Sequence, residues 1–202
     1  MLLTFKEFFP SGMYKGKVRT DFADNIIFGN KVHTFREGFR LKPGDKLHFY
    51  QNNPRNRKTD AQRGTFTYAF NPVVDNVDWW KDEETGAILH KSKLMVDGFH
   101  GCPELGKYTP LIAGIDRAMI QIKNGVLYVF ILQNEKADLY ALMKEAEVRH
   151  FCEKDGFRSY DQAADFFQCE SKRRKIVSFH GQIIHWSEKT VYNPQTAQIF
   201  RP

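Results

Sequence analysis

The chain has little cysteine, and the cysteines that it has are poorly spaced for holding a metal. Its 202 residues include three, Cys102, Cys152 and Cys169, and no C-x-x-C pair. This odd number and wide spacing argue against a zinc ribbon. His100 and Cys102 would supply two ligands, but no matching second pair occurs. We therefore predict no metal, no cofactor, and free thiols suited to a reducing cytoplasm.

Long apolar runs are also lacking, as are internal repeats and low-complexity segments. No run reaches the roughly 18 apolar residues that a membrane-spanning helix needs. The opening stretch MLLTFKE is too short and too charged for a signal peptide. These absences predict a cytoplasmic protein with no membrane partner. The length of 202 residues favours one domain spanning 1–202, with an elaboration.

Basic charge and phenylalanine are what the chain has in excess. Thirty Lys and Arg against 24 Asp and Glu give a net charge of +6 and a pI of about 9.2. Such a balance favours an anionic partner, with nucleic acid as the first candidate. Eighteen phenylalanines and scattered β-branched runs lean towards strands.

Two hairpins and three helices can be read from local patterns. Asn124-Gly125 separates apolar runs at 119–122 and 126–132, which is a strong hairpin signal. A second hairpin joins 77–80 to 87–90. The predicted helices cover about 20–28, 136–151 and 159–168, the last with Ser159 as N-cap and Gln162 completing a capping box. Further strands are predicted at 2–9 (or a packed arm), 31–36, 46–50, 65–70, 176–179 and 182–186.

Residues 29–36, GNKVHTFR, form a G-x-K-x-x-T-x-R string. In an extended strand Lys31 and Thr34 would face opposite sides. A turn at Lys31 would bring its ammonium beside the Thr34 hydroxyl, with Arg36 nearby. That trio suits a phosphate, a carboxylate or the polar edge of a base. The plain alternative is a strand with solvated basic residues, because short motifs often arise by chance.

Three further features follow the string in order: the turn Lys42-Pro43-Gly44-Asp45, the step Asp155-Gly156-Phe157, and a closing strand that ends at Trp186. The four together resemble the ASCH domain of the PUA-like superfamily. The resemblance covers about 20–50 and 114–186. It implies an α+β fold built on a small PUA-like (ASCH-type) β-barrel with flanking helices. The residues at about 51–113 then read as a β-rich insertion. The stretches LTFKEFFPSG at 3–12 and KVHTFR at 31–36 also resemble those of uncharacterised phage or mobile-element proteins.

The resemblance implies one possible chemistry, since some compact ASCH-like proteins are amidohydrolases that deacylate acetylated cytidine. By position, Thr34 would be the nucleophile and Lys31 its activating base. The third group would be a carboxylate, either Asp155 or its competitor Glu153. On the plain alternative, Asp155 is a turn residue before Gly156 and Thr34 a β-branched strand former.

The leading expectation is binding of RNA or a modified nucleotide in a cleft lined by the motif. The basic run at 172–175 is either part of that surface or a solvated linker. Trp79 and Trp80 should face opposite sides of a strand, so at least one belongs to the core. A non-enzymatic protein-interaction adaptor is the third possibility. The expected ligand contacts are Lys31, Arg36, Tyr50, Arg55, Arg57 and Lys58.

Overall fold

The computed structural model describes residues 2–6, 8–10, 12–27, 29–51, 77–90, 108–187 and 195–200. The predicted strand at 65–70 lies outside these residues, as do Arg55, Arg57, Lys58 and Cys102. The described elements, in chain order, are β1 (Leu2–Phe5), α1 (Phe22–Ile27), β2 (His33–Glu37), β3 (His48–Gln51), β4 (Trp79–Asp82), β5 (Ile88–His90), β6 (Tyr108–Pro110), β7 (Gly114–Lys123), β8 (Val126–Asn134), β9 (Leu139–Leu142), α2 (Glu145–Lys154), α3 (Tyr160–Arg174), β10 (Ser178–His185) and β11 (Gln195–Phe200).

A six-stranded antiparallel sheet with the order β11-β9-β8-β7-β10-β2 forms the centre of a mixed α+β fold. The predicted hairpin at Asn124-Gly125 is confirmed, since β7 and β8 pair across it. No pairing among the described residues joins the edge strands β2 and β11, so the sheet is open there. The closed barrel that we predicted is therefore not what the described part of the chain forms.

The predicted helix at 136–151 is wrong in its first half. Leu139–Leu142 is the strand β9, and the helix α2 begins at Glu145. The apolar spacing there fitted a helix, but Tyr140 and Ala141 are both buried and pair with β8. Hydrogen bonding to a neighbouring strand has overridden the local pattern, as tertiary context often does.

The last helix starts where the sequence predicted. The amide of Gln162 donates to Ser159 Oγ over 3.2 Å, which confirms Ser159 as the N-cap of α3. The helix runs on to Arg174, beyond the predicted end at 168, so the interpretation of 172–175 as a linker is wrong. Its last turn is basic, which suits the negative C-terminal end of the helix dipole.

The predicted strands 176–179 and 182–186 are one continuous strand, β10. It continues through Gly181, where an added Cβ would lie 2.1 Å from the main-chain oxygen of Arg36. A side chain at this position would push β10 away from β2. Glycine therefore permits the close backbone contact that keeps the motif strand in the sheet.

Three buried clusters occur among the described residues, and the two larger ones pack the other elements against the central sheet. One lies between the sheet and the helices α2 and α3, and includes Phe35, Phe151 and Phe167. The other joins β1, α1 and β3 to Trp186. The described part of the predicted insertion forms the sheet β5-β4-β6, which confirms the hairpin between 77–80 and 87–90.

Candidate functional site

Lys31 precedes the motif strand instead of belonging to it. Gly29 ends the turn after α1 with a φ of 76°, and β2 begins only at His33. The Lys31 amide donates to Asn25 O over 2.8 Å, and Trp186 Nε1 donates to Lys31 O over 3.1 Å. These bonds turn the lysine side chain into the protein, away from the position that an extended 31–36 would give it.

The Lys31 ammonium is buried among three aromatic rings and pairs with a carboxylate. The residue is 1% exposed. Its Nζ donates to Asp155 Oδ1 and to the Asp155 main-chain oxygen. The same atom lies 4.8 Å from the Phe22 ring centroid, 5.3 Å from Phe5 and 5.9 Å from Trp186. The ring faces and the carboxylate together replace the water that a buried ammonium has lost.

Burial lowers the pKa of Lys31 from 10.5 to about 8, although its contacts with Asp155 oppose the shift. Arg36 adds a smaller lowering effect through charge repulsion. A lysine with this pKa is largely protonated at neutral pH, but a useful fraction of it is the neutral amine. That is the state in which a lysine accepts a proton.

Asp155 reaches Lys31 because the helix α2 ends there. It is the C-cap residue, and Gly156 follows with a φ of 87°. A Cβ on Gly156 would lie 2.9 Å from Lys31 Cδ, so the chain can pass this close to the lysine only as glycine. Asp155 Oδ2 accepts the Phe35 amide over 3.3 Å. The competing carboxylate, Glu153, is exposed on α2.

Thr34, Arg36 and Asp155 line one pocket with a cavity volume of about 290 Å³. Lys31 does not line the pocket, but its Nζ donates to Asp155, which does. Seven phenylalanines supply most of the apolar wall. One of them, Phe5, belongs to the N-terminal segment, which also lines the pocket with Thr4, Lys6 and Pro10. Ligand pockets in proteins start at about 300 Å³, so this one suits a small ligand such as a single base or nucleoside. The aromatic residues are Phe5, Phe22, Phe35, Phe157, Phe166, Phe167 and Phe179.

Arg36 holds the N-terminal segment against the pocket. Its Nη2 donates to Thr4 O over 2.8 Å, and its guanidinium lies 5.1 Å from the Phe5 ring centroid. Thr4 and Phe5 both line the cavity. The described contacts of Arg36 therefore position a wall of the pocket, a role that the motif alone did not indicate.

The exposed side of the pocket carries ion pairs. Arg174 Nη2 donates to Glu37 Oε1 over 3.0 Å, and Arg173 Nε donates to Glu170 Oε1 over 3.3 Å. Glu37, Glu170 and Arg174 all line the cavity. Sequence reasoning missed this arrangement, and also missed the Phe wall. The high phenylalanine content was the available signal, but it does not say which rings converge.

The described structure does not bring together all of the residues that were predicted to share a site. Among the described contacts of Lys31 Nζ, none is a hydrogen bond to Thr34 Oγ1. The strand β3 contains Tyr50, whose side chain lies outside the described residues. Trp79 is 42% exposed and Trp80 3%, as alternation along a strand requires.

Two buried histidines face each other in register, His33 at the start of β2 and His185 at the end of β10. The His33 ring stacks on Phe151 at 5.0 Å, and its Nε2 lies 3.2 Å from Phe151 O. His185 Nε2 lies 3.0 Å from Asp116 Oδ2. Burial, His185 and Lys31 hold the pKa of His33 well below its ordinary value. His33 is therefore neutral at physiological pH.

Comparison with protein-family models, with curated proteins and with solved structures gave no match to this chain. In the described ranges no group of three or more His, Cys, Asp and Glu side chains could hold a metal ion. No helix among the described residues is long and apolar enough to cross a membrane.

Proposed function

We propose that the phenylalanine-walled pocket binds the base of a nucleoside or of a modified nucleotide. The observation that carries this proposal is the convergence of Thr34, Arg36 and Asp155 on one small aromatic cavity. Aromatic rings stack on bases whatever the sequence, and a few polar groups then read the base edge. The Thr34 hydroxyl, which both donates and accepts, is one of the lining polar groups that can read the base edge.

The size of the cavity favours a single base, and not a length of RNA, as the ligand. A cavity of about 290 Å³ has no room for a second nucleotide. An RNA strand would have to present one unstacked base and run across the mouth, where Glu37 and Glu170 lie. A free nucleoside avoids that contact, and so it is the simpler occupant.

The arrangement of elements supports placing the chain with the ASCH-type, PUA-like proteins. The motif strand β2 pairs with the last strand before Trp186, and the two helices follow the β7–β8 hairpin. The two helices after this hairpin are the order that the resemblance implies, whereas the pairing of β2 with β10 was not predicted. The closed barrel is the feature of that family that the described residues lack.

Deacylation of an acetylated cytidine-like nucleoside is the second candidate, and the lowered pKa of Lys31 favours it. Neutral Lys31 would take the proton of the Thr34 hydroxyl as Oγ1 attacks the acyl carbon. The nucleoside amine would leave with a proton, and water would then hydrolyse the acyl-threonine. Because Lys31 Nζ bonds Asp155 in this structure, it would first have to turn towards Thr34. For that reason we rank hydrolysis second.

Calorimetric titration of the four common nucleosides and N4-acetylcytidine tests the binding proposal. We expect at least one to bind with a dissociation constant below about 1 mM. Thr34→Val, which removes the hydroxyl but keeps the branched shape, should weaken binding by roughly 0.5–1.5 kcal/mol, the value of one hydrogen bond. Thr85→Val, in the β4–β5 turn outside the pocket, is the matched control and should change nothing.

The same samples separate the two candidates. Acetate release from N4-acetylcytidine that disappears in Thr34→Val and persists in Thr34→Ser would favour hydrolysis. Binding without release in any variant would favour a binding protein. If no nucleoside binds at millimolar concentration and none is hydrolysed, the proposed function is wrong.

A further inference from the structure

The carboxylates that face the pocket are already paired within the protein. Its three lining carboxylates each have a cationic partner: Asp155 with Lys31, Glu37 with Arg174, and Glu170 with Arg173. The contacts are direct ion pairs, and the Glu37–Arg174 pair uses two nitrogens and both carboxylate oxygens. A ligand therefore meets no carboxylate without a counter-charge.

The arginines that line the pocket are engaged as well. Arg174 has both terminal nitrogens on Glu37, and its guanidinium lies 5.6 Å from the Phe179 ring centroid. Arg36 donates to Thr4 O and lies over Phe5. Lys6 also lines the pocket, but it is exposed at the surface, where a single ammonium is strongly hydrated and contributes little.

A phosphate would disrupt this arrangement. It carries nearly two negative charges at neutral pH. To bind Arg174 it would have to displace Glu37, leaving that carboxylate unpaired beside the phosphate. Like charges brought together at an interface oppose binding. A nucleoside has no phosphate and does not have to displace Glu37, because ring stacking and hydrogen bonds can bind it.

We infer that the ion-paired mouth makes the pocket select uncharged nucleosides over their phosphorylated forms, with Glu37 as the specificity-determining residue. This inference rests on the proposed function and adds the charge class of the ligand. Glu37 is held in place by the sheet, since it pairs with Gly181 at the end of β2. Gly38, with a φ of 91°, turns the chain immediately afterwards.

The test is a comparison of uridine, cytidine, adenosine and guanosine with their 5′-monophosphates by calorimetry, at about 0.15 M salt so that weak surface attraction is screened. We expect the wild type to bind the preferred nucleoside at least about tenfold more tightly than its monophosphate. In Glu37→Gln, which removes the carboxylate from Arg174, the ratio of the two dissociation constants should shift about tenfold towards the monophosphate.

Glu135→Gln is the matched control. It breaks the exposed Arg117–Glu135 ion pair, and neither residue lines the pocket. Both ligands should keep their affinities in this variant. A wild type that binds the monophosphate as tightly as the nucleoside would overturn the charge selection and leave base binding standing. A Glu37→Gln variant with an unchanged ratio would overturn the role of Glu37. If neither ligand class binds, both the proposed function and this inference fail.

Discussion

The Lys31 side chain donates hydrogen bonds to both the carboxylate and the main-chain oxygen of Asp155, a residue 124 positions further along the chain. The pair joins the turn before the motif strand to the end of the helix α2. Because both residues are buried, neither charge can be lost without exposing the other to an apolar surrounding. The site is therefore a stability element as well as a candidate ligand pocket.

Replacing Lys31 should lower the free energy of unfolding more than replacing an exposed cation does. We expect Lys31→Met to lower the free energy of unfolding in urea by about 3–5 kcal/mol, since Asp155 would remain buried without its partner. The double variant Lys31→Met/Asp155→Asn should lose less than the two single changes together. Arg149→Met, which breaks an exposed pair with Glu145 and a contact with the Tyr160 ring, is the control and should cost about 1 kcal/mol or less. Equal stability of Lys31→Met and the wild type would contradict the pairing.

Gly156 should tolerate alanine less well than Gly86, which also has a left-handed backbone. Gly156→Ala places a Cβ 2.9 Å from Lys31 Cδ and 3.0 Å from Phe22 Cδ1, in addition to the strain at positive φ. Gly86→Ala carries the backbone strain alone, because nothing lies within 4 Å of its added Cβ. We expect Gly86→Ala to cost about 1 kcal/mol and Gly156→Ala clearly more, measured by urea unfolding. Similar losses would mean that the neighbours of Gly156 can move aside.

Acid should destabilise the fold through His33 before the carboxylates titrate. Its pKa in the folded state is well below 6.5, because of burial and the nearby His185 and Lys31. Below pH 6.5 the unfolded chain therefore binds a proton that the folded chain refuses, so stability falls as the pH falls. The slope approaches about 1.4 kcal/mol per pH unit for one such proton.

The measurement for His33 is the urea midpoint between pH 7 and 5. The wild type should lose stability across this range more steeply than His33→Gln, which has no proton to gain at that position. His180→Gln, which changes an exposed histidine on β10, should follow the wild type. Parallel curves for the wild type and His33→Gln would show that another group causes the acid sensitivity.

Arg36→Met should loosen the strand β1 without unfolding the protein. The guanidinium bond to Thr4 O is lost, and a hydrogen bond from a charged donor contributes roughly 1.5–3 kcal/mol. Amide hydrogen exchange at residues 2–5 should therefore accelerate by about tenfold or more, while β7 and β8 keep their protection. Arg117→Met, whose guanidinium lies over Phe39, is the control. Unchanged exchange in β1 would show that its pairing with β3 alone holds the segment.

Local chemistry was sufficient to predict several elements from the sequence. Asn124-Gly125 forms the turn between two alternating runs, and Ser159 caps the following helix, because each signal acts within a few residues. The Asp82–Gly86 hairpin is of the same kind. The motif itself pointed to Lys31 and Thr34, and the resemblance added a carboxylate, either Asp155 or Glu153. The sequence left open which of Asp155 and Glu153 contacts Lys31. Both lie near the end of a helix, and their spacing from the motif does not tell which carboxylate points towards the lysine.

The amino-acid sequence by itself determined the hairpin turns, the cap of α3 and the motif in and before β2, because these depend on neighbouring residues. Tertiary structure decided the rest. Pairing with β8 made Leu139–Leu142 a strand, and the end of α2 placed Asp155, not Glu153, at the lysine. Packing of distant phenylalanines made the pocket, and the length of α3 brought Arg174 to Glu37. These outcomes depend on contacts between residues far apart in the chain, whose free energy is settled only when the elements pack.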